Sequence, residues 1–122
     1  MTTKYKAIDD IVESKDSNAR VVRQPEYNIP NGLPPIDLEI RTPEARELYV
    51  VVDVKRDRTR VDACMESLQH AHDQIRDTGY QGKVYLFVEC LHAQYSDLPP
   101  DARRVAYPVR KSNAPAAPMP AK

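Results

Sequence analysis

Residues 47–56 read Glu-Leu-Tyr-Val-Val-Val-Asp-Val-Lys-Arg, and this stretch decides the fold. Its nearly continuous apolar run is typical of a strand that is buried on both faces. Side chains alternate between the faces of a strand, so Asp53 and Lys55 are expected on one side, about 7 Å apart. Two opposite charges at the end of an apolar strand must be solvated, paired or bound to a metal, because burial otherwise costs desolvation energy. The end of this strand is therefore the first place to look for function.

The sequence that follows this strand predicts a β-α-β unit. Residues 61–78 carry core-type side chains at helical spacing, and Gly79 is expected to end that helix. Residues 83–91 form a second nearly continuous apolar strand. The two strands should be parallel and their crossover right-handed. The predicted stripe of the helix consists of Val61, Cys64, Met65, Leu68, His72 and Ile75.

The sequence before this strand predicts a helix and a half-buried strand. Residues 4–14 have the spacing of a short amphipathic helix, and residues 36–41 alternate between apolar and polar. The helix face is predicted as Tyr5, Ile8, Ile11 and Val12, and the two strand faces as Ile36, Leu38 and Ile40 against Asp37, Glu39 and Arg41. A turn is expected at residues 42–46, and brief additional strands are candidates at residues 19–23 and 103–110. The fold class is α/β, with a small mixed sheet of three or four strands, a crossover helix and an N-terminal helix.

Composition indicates one domain. Residues 1–111 are predicted as a single α/β domain with a proline-rich loop at residues 24–35, and residues 112–122 as a flexible tail rich in alanine and proline. The chain has 18 basic and 18 acidic residues, and this balance counts against a protein that coats nucleic-acid phosphates over its whole surface. A local basic patch remains compatible with it.

Location and cysteine chemistry are predicted from what the sequence lacks. No apolar run approaches the roughly 18 residues of a membrane span, and the N-terminus lacks the apolar core of a secretory signal, so we expect a cytoplasmic protein without membrane contact. Cys64 and Cys90 lie outside any metal-binding spacing. Two buried thiols are the simplest interpretation, and a metal or redox pair is the alternative.

The order of helix, short strand, strand, strand, helix and strand resembles the core of the PD-(D/E)xK nuclease superfamily. The resemblance covers about residues 36–90, where an acid lies near the second strand and Asp-x-Lys ends the third. It implies that Asp37 and Asp53 hold a Mg²⁺ ion, and that Lys55 positions or activates the attacking water. Chance alone gives about one Asp/Glu-x-Lys match in this composition, so the prediction depends on Asp37 lying beside that strand end.

The same resemblance implies further site residues. Gln69 stands in the helix after the lysine strand, where family members often have a glutamine, and Glu13 on the first helix is a further candidate acid. Nucleic-acid phosphates would meet three arginines beside the site, Arg56, Arg58 and Arg60. The chain departs from the family pattern at the first acid, because Ile36 separates it from Pro35.

Two functions are compatible with these patterns. The first is a small Mg²⁺-dependent nuclease-like protein that acts on or binds DNA. The second is a non-enzymatic interaction module or adaptor that reaches a protein partner through residues 24–35 and 112–122. In that case Asp53 and Lys55 form a surface ion pair, and Asp37, Glu39 and Arg41 are the solvated face of an edge strand. A homodimer that covers the sheet edges is compatible with either function.

Overall fold

The computed structural model describes residues 4–52 and 58–91 and the backbone of 104–107, the side chain of residue 58 excepted. Within these residues, two helices and five strands form in this order: α1 Lys4–Glu13, β1 Arg20–Arg23, β2 Leu38–Arg41, β3 Ala45–Val52, α2 Arg58–Asp77, β4 Lys83–Cys90 and β5 Arg104–Tyr107. The predicted α/β class is confirmed, with a mixed sheet, an N-terminal helix and a crossover helix. The predicted tail at residues 112–122 lies outside the described residues.

The five strands form one sheet in the order β1-β2-β3-β4-β5. Strands β1, β2 and β3 are antiparallel neighbours, β3 and β4 are parallel, and β5 pairs antiparallel with β4. The parallel pair joined by α2 is the predicted β-α-β unit. Because β1 covers the outer side of β2, β2 is an interior strand. The interpretation of Asp37, Glu39 and Arg41 as the solvated face of an edge strand is therefore wrong, and Glu39 is fully buried.

Each helix covers one face of the sheet. We call the two resulting groups the α1-side cluster and the α2-side cluster. The α1-side cluster contains Ala7, Ile8, Ile11, Leu38, Ile40, Tyr49, Val51 and Leu91. The α2-side cluster contains Ile36, Leu48, Val50, Val52, Cys64, Leu68, Ala71, Ile75, Val84, Leu86 and Val88. The alternation predicted for β3 is confirmed where it is described, since Val50 and Val52 share the α2 side and Tyr49 and Val51 the α1 side.

The predicted face of β2 needs one correction. Leu38 and Ile40 share the α1 side, but Ile36 packs in the α2-side cluster. The reason is a shift in register at Asp37, whose backbone nitrogen donates to the carbonyl of Tyr49 at 2.9 Å, although Tyr49 is paired with Leu38 in the sheet. Simple alternation therefore stops one residue before β2 begins.

The helix faces also differ in detail from the prediction. Tyr5 is 76% exposed, and Ala7 takes the buried place beside Ile8 and Ile11. Along α2, four of the predicted stripe residues are buried, whereas Val61 and Met65 are only partly so. The predicted helix stop is confirmed, because α2 ends at Asp77 and Gly79 has a φ of +93°. Neither described helix is long and apolar enough to cross a bilayer.

Candidate functional site

Asp37 lies where β2 begins, beside the end of β3. Its Oδ2 atom accepts a hydrogen bond from the backbone nitrogen of Val51 at 2.7 Å, and the residue is 5% exposed. Together with the bond from its own backbone nitrogen to Tyr49, this contact fixes the carboxylate in the gap beyond the last paired residues of the two strands. A buried acid is thus held against the strand that leads into residue 53.

A lysine of the first helix compensates the charge of this acid. The Nζ atom of Lys4 lies 2.8 Å from Oδ1 of Asp37. The carboxyl side chain is 6% exposed and the lysine side chain 45% exposed, so a buried anion meets a cation that reaches solvent. Carboxylate oxygens are hard ligands of the kind that Mg²⁺ prefers, but here a lysine compensates the charge at one of them. Asp37 is therefore a buried anion that is already paired with a cation.

The other members of the predicted metal and lysine site follow Val52 directly in the chain. Asp53, Lys55 and Arg56 lie outside the described residues. Within the ranges 4–52 and 58–91, no group of three His, Cys, Asp or Glu side chains could hold a metal ion. Asp37 is therefore the described member of the proposed pair of acids.

A cavity of about 210 Å³ opens at the same end of β3. Arg60, in the first turn of α2, contributes to its wall, as do Val52 and Cys64. The remaining lining residues are Gly32, Leu33, Pro34 and Ala63. The structure thus places Arg60 at the end of the central strand. The predicted contact of Arg60 with phosphate requires this position. Arg58 is the first residue of α2, and its side chain lies outside the description.

Two further candidates have no described hydrogen bond or ion pair with Asp37. Gln69 is buried on α2, and its amide nitrogen donates to Asp73 at 2.9 Å. Glu13 is exposed and is the last residue of α1. The site roles that the resemblance implies for these two residues stay predictions.

The two cysteines are protonated thiols inside or beside the α2-side cluster. Burial raises the pKa of Cys64 from 9.0 to about 11, and the positive charge of Arg60 lowers it by a smaller amount. Burial also raises the pKa of Cys90, and the carboxylate of Glu89 adds to that effect. Neither cysteine forms a disulfide; Cys64 is buried as predicted, whereas Cys90 is only partly buried.

Sequence reasoning missed a second buried acid, Glu39, and the residues around it. Its carboxylate accepts hydrogen bonds from the hydroxyl of Tyr27 at 2.7 Å and from Nε of Arg41 at 2.8 Å, and Nη1 of Arg46 lies 3.7 Å away. Burial, and then the bond to Glu39, raise the pKa of Tyr27 to about 12. The sequence holds one signal for this burial, because a buried carboxylate needs cations nearby. Arg41 stands two residues after Glu39 on β2, and Arg46 lies on the neighbouring strand β3.

Lys4 was also missed, although the sequence contains the signal for it. Lys4, Ile8 and Ile11 stand at positions i, i+4 and i+7, so a helix that buries the two isoleucines turns Lys4 toward the sheet as well. The predicted face began at Tyr5 instead, one residue too late. A lysine at such a position can pair with an anion on the sheet that the helix covers, as Lys4 does with Asp37.

Fold and site together define an α/β protein with a buried, cation-paired acid beside the end of its central strand. Compared with family models, curated proteins and solved structures, the chain has no significant match.

Proposed function

We propose that this chain is a small Mg²⁺-dependent nuclease-like protein that acts on or binds DNA through Asp37, Asp53 and Lys55. One observation carries the proposal. The buried carboxylate of Asp37 is hydrogen-bonded to the backbone of Val51, which precedes Asp53 by two residues in the sequence. An acid near the second strand is therefore held against the strand that Asp-x-Lys follows, as the resemblance to the PD-(D/E)xK superfamily requires.

The element order supports the same proposal. The chain runs α1, β1, β2, β3, α2, β4, which is the helix, short strand, strand, strand, helix, strand order of the resemblance. The sheet places β2 next to β3 and β3 next to β4. Asp37 directly precedes β2 and Asp53 directly follows β3 in the sequence, so the two proposed ligands are attached to neighbouring strands.

The donor set limits which residues could hold the metal. Mg²⁺ is usually bound through one or two carboxylates together with waters and substrate phosphates. The resemblance implies Asp53 as the second acid, and this residue follows Val52 directly in the sequence. A bound Mg²⁺ would stabilise charge on a phosphate and lower the pKa of a water. Arg60, at the cavity beside β3, would meet the phosphate backbone.

The loop at residues 24–35 is anchored on the domain. The amide nitrogen of Asn28 donates to Gln74 at 2.8 Å, and the hydroxyl of Ser67 donates to the carbonyl of Pro34. Tyr27 packs against the α2-side cluster. An adaptor would therefore present this loop to a partner as a fixed surface. The second segment of that alternative, residues 112–122, lies outside the described residues.

A cleavage assay with matched variants tests the proposal. Full-length protein is incubated with single-stranded, double-stranded and branched DNA in Mg²⁺ or Mn²⁺. We expect metal-dependent cleavage that is lost in Asp37→Asn, Asp53→Asn and Lys55→Gln, with unchanged circular dichroism. Asp77→Asn is the control, because it removes an exposed acid at the end of α2 that has no proposed role in the site. A wild-type protein that neither cleaves nor binds any of these DNAs, or an active Asp53→Asn, would overturn it.

A further inference from the structure

We infer that Arg20, Arg41 and Arg46 form a second binding site, for a small molecule that carries two or more phosphate or carboxylate groups. We call these three residues the arginine row. The row crosses β3 at its start, whereas Asp37 contacts Val51 near the end of that strand. The inference therefore does not depend on the proposed function.

The three arginines stand side by side on three neighbouring strands. Arg41 of β2 is directly opposite Arg20 of β1 and Arg46 of β3, and both pairings are antiparallel. Residues in such positions share a face of the sheet and have Cβ atoms about 5 Å apart. Leu38 and Ile40 occupy the α1 side of β2, so Arg41 and the rest of the row lie on the α2 side. Like charges directly opposite each other are destabilising, so the row favours anions around it.

Among the described residues, one carboxylate compensates this row. Glu39 is fully buried, and its carboxylate accepts a hydrogen bond from Nε of Arg41 at 2.8 Å. Nη1 of Arg46 lies 3.7 Å from the same carboxylate. Arg20 is exposed and forms no ion pair with any described acid. Three positive charges thus share one negative charge, which leaves an excess of positive charge on this face.

The excess charge borders a cavity of about 450 Å³, which has the size of small-molecule sites. Arg41 and Arg46 contribute to its wall beside Tyr27. The guanidinium of Arg46 is held over the ring of Tyr80, 4.5 Å from the ring centroid. Its contact with Glu39 is too long for a hydrogen bond, so its N–H groups can bind a ligand. Guanidinium groups bind phosphate and carboxylate oxygens in pairs, which indicates the chemistry of that ligand.

An exposed acid on the same wall limits the strength of the site. Glu26 lines the cavity, but the ion pairs of Arg41 and Arg46 are with Glu39. Water screens an exposed carboxylate, so Glu26 should weaken the binding of an anion without preventing it. A ligand with two or more anionic groups is favoured over one with a single group, because it can contact more than one arginine of the row.

Calorimetric titration of the full-length protein with pyrophosphate and, separately, with citrate tests the inference at low ionic strength. We expect Arg46→Gln to weaken binding by about tenfold or more, because a charged donor is lost. Arg20→Gln should weaken it by about threefold, since this residue is exposed, and Glu26→Gln should tighten it by about twofold. The matched control is Arg23→Gln, which removes an exposed arginine of β1 that pairs with Asp9 instead, and it should bind as wild type does.

The two probes identify the ligand chemistry, since binding of pyrophosphate alone indicates phosphate and binding of citrate alone indicates carboxylate. A wild-type protein that binds neither probe at millimolar concentration would overturn the inference. Equal losses in Arg46→Gln and Arg23→Gln would also overturn it, because binding would then depend on overall charge. If circular dichroism shows that Arg46→Gln is unfolded, Arg20→Gln decides, and unchanged binding by that variant overturns the inference. Variants that lose affinity for single-stranded DNA but for neither small anion would make the row a nucleic-acid contact instead.

Discussion

The carboxylate of Asp37 replaces a backbone carbonyl as the acceptor for Val51, at 2.7 Å, just beyond the last paired residues of β2 and β3. Removing this acceptor would leave a buried nitrogen–hydrogen group unsatisfied. We therefore expect Asp37→Ala to lower the free energy of unfolding by about 1–3 kcal/mol. Asp37→Asn keeps an oxygen at the position of Oδ2, so it should cost less. Urea denaturation of both variants measures the difference, and an Asp37→Ala protein as stable as wild type would contradict it.

Alkaline stability should depend on Tyr27. Its pKa is raised from 10.0 to about 12 by burial and by its hydrogen bond to Glu39, so the folded state holds the phenolic proton longer than the unfolded chain does. Unfolding then releases this proton between these two values, and stability falls as pH rises. The contribution of Tyr27 is complete below pH 10 and is lost as pH approaches 12.

The variant Tyr27→Phe isolates this contribution. It should be less stable than wild type at pH 8, because Glu39 loses a donor, and its stability should fall less steeply between pH 10 and 12. Tyr5→Phe is the matched control, since Tyr5 is 76% exposed. Denaturation midpoints at several pH values give the slopes. Equal slopes for wild type and Tyr27→Phe would show that Tyr27 titrates as it does in the unfolded chain.

The β-α-β core could be predicted because its information is local. The strand at residues 83–91 and the stripe of α2 depend on apolar side chains a few positions apart, and the structure has the same elements there. The burial and ion pairing of Asp37 could not be predicted from nearby residues. They depend on a register shift against Tyr49 and on a lysine 33 positions away in the chain. Glu39 was misjudged for a related reason. Its carboxylate is covered by Tyr27, from the loop at residues 24–35, and by Arg41, and short-range alternation cannot reveal the contact with that loop.

The thiol of Cys64 should react slowly in the folded protein. Its pKa of about 11, against an ordinary 9.0, reduces the reactive thiolate at pH 8 by about a hundredfold, and its burial adds a steric barrier. We expect reaction with Ellman's reagent to be at least about a hundredfold slower in native Cys90→Ser protein than in the same protein unfolded by guanidinium. Rapid labelling of the native variant would mean that the α2-side cluster opens near the end of β3.

The loop at residues 24–35 should be held in place by Gln74. The side-chain oxygen of Gln74 accepts from the amide nitrogen of Asn28 at 2.8 Å, and its nitrogen donates to the carbonyl of Asn28 at 2.9 Å. Loss of this pair in Gln74→Ala should cost about 0.5–1.5 kcal/mol and accelerate hydrogen exchange at the Asn28 amide. Gln81→Ala, at an exposed position after α2, is the control and should leave this exchange rate unchanged. Nuclear magnetic resonance measures these exchange rates. Equal rates at the Asn28 amide in wild type and Gln74→Ala would show that the other contacts of the loop hold it in place without Gln74.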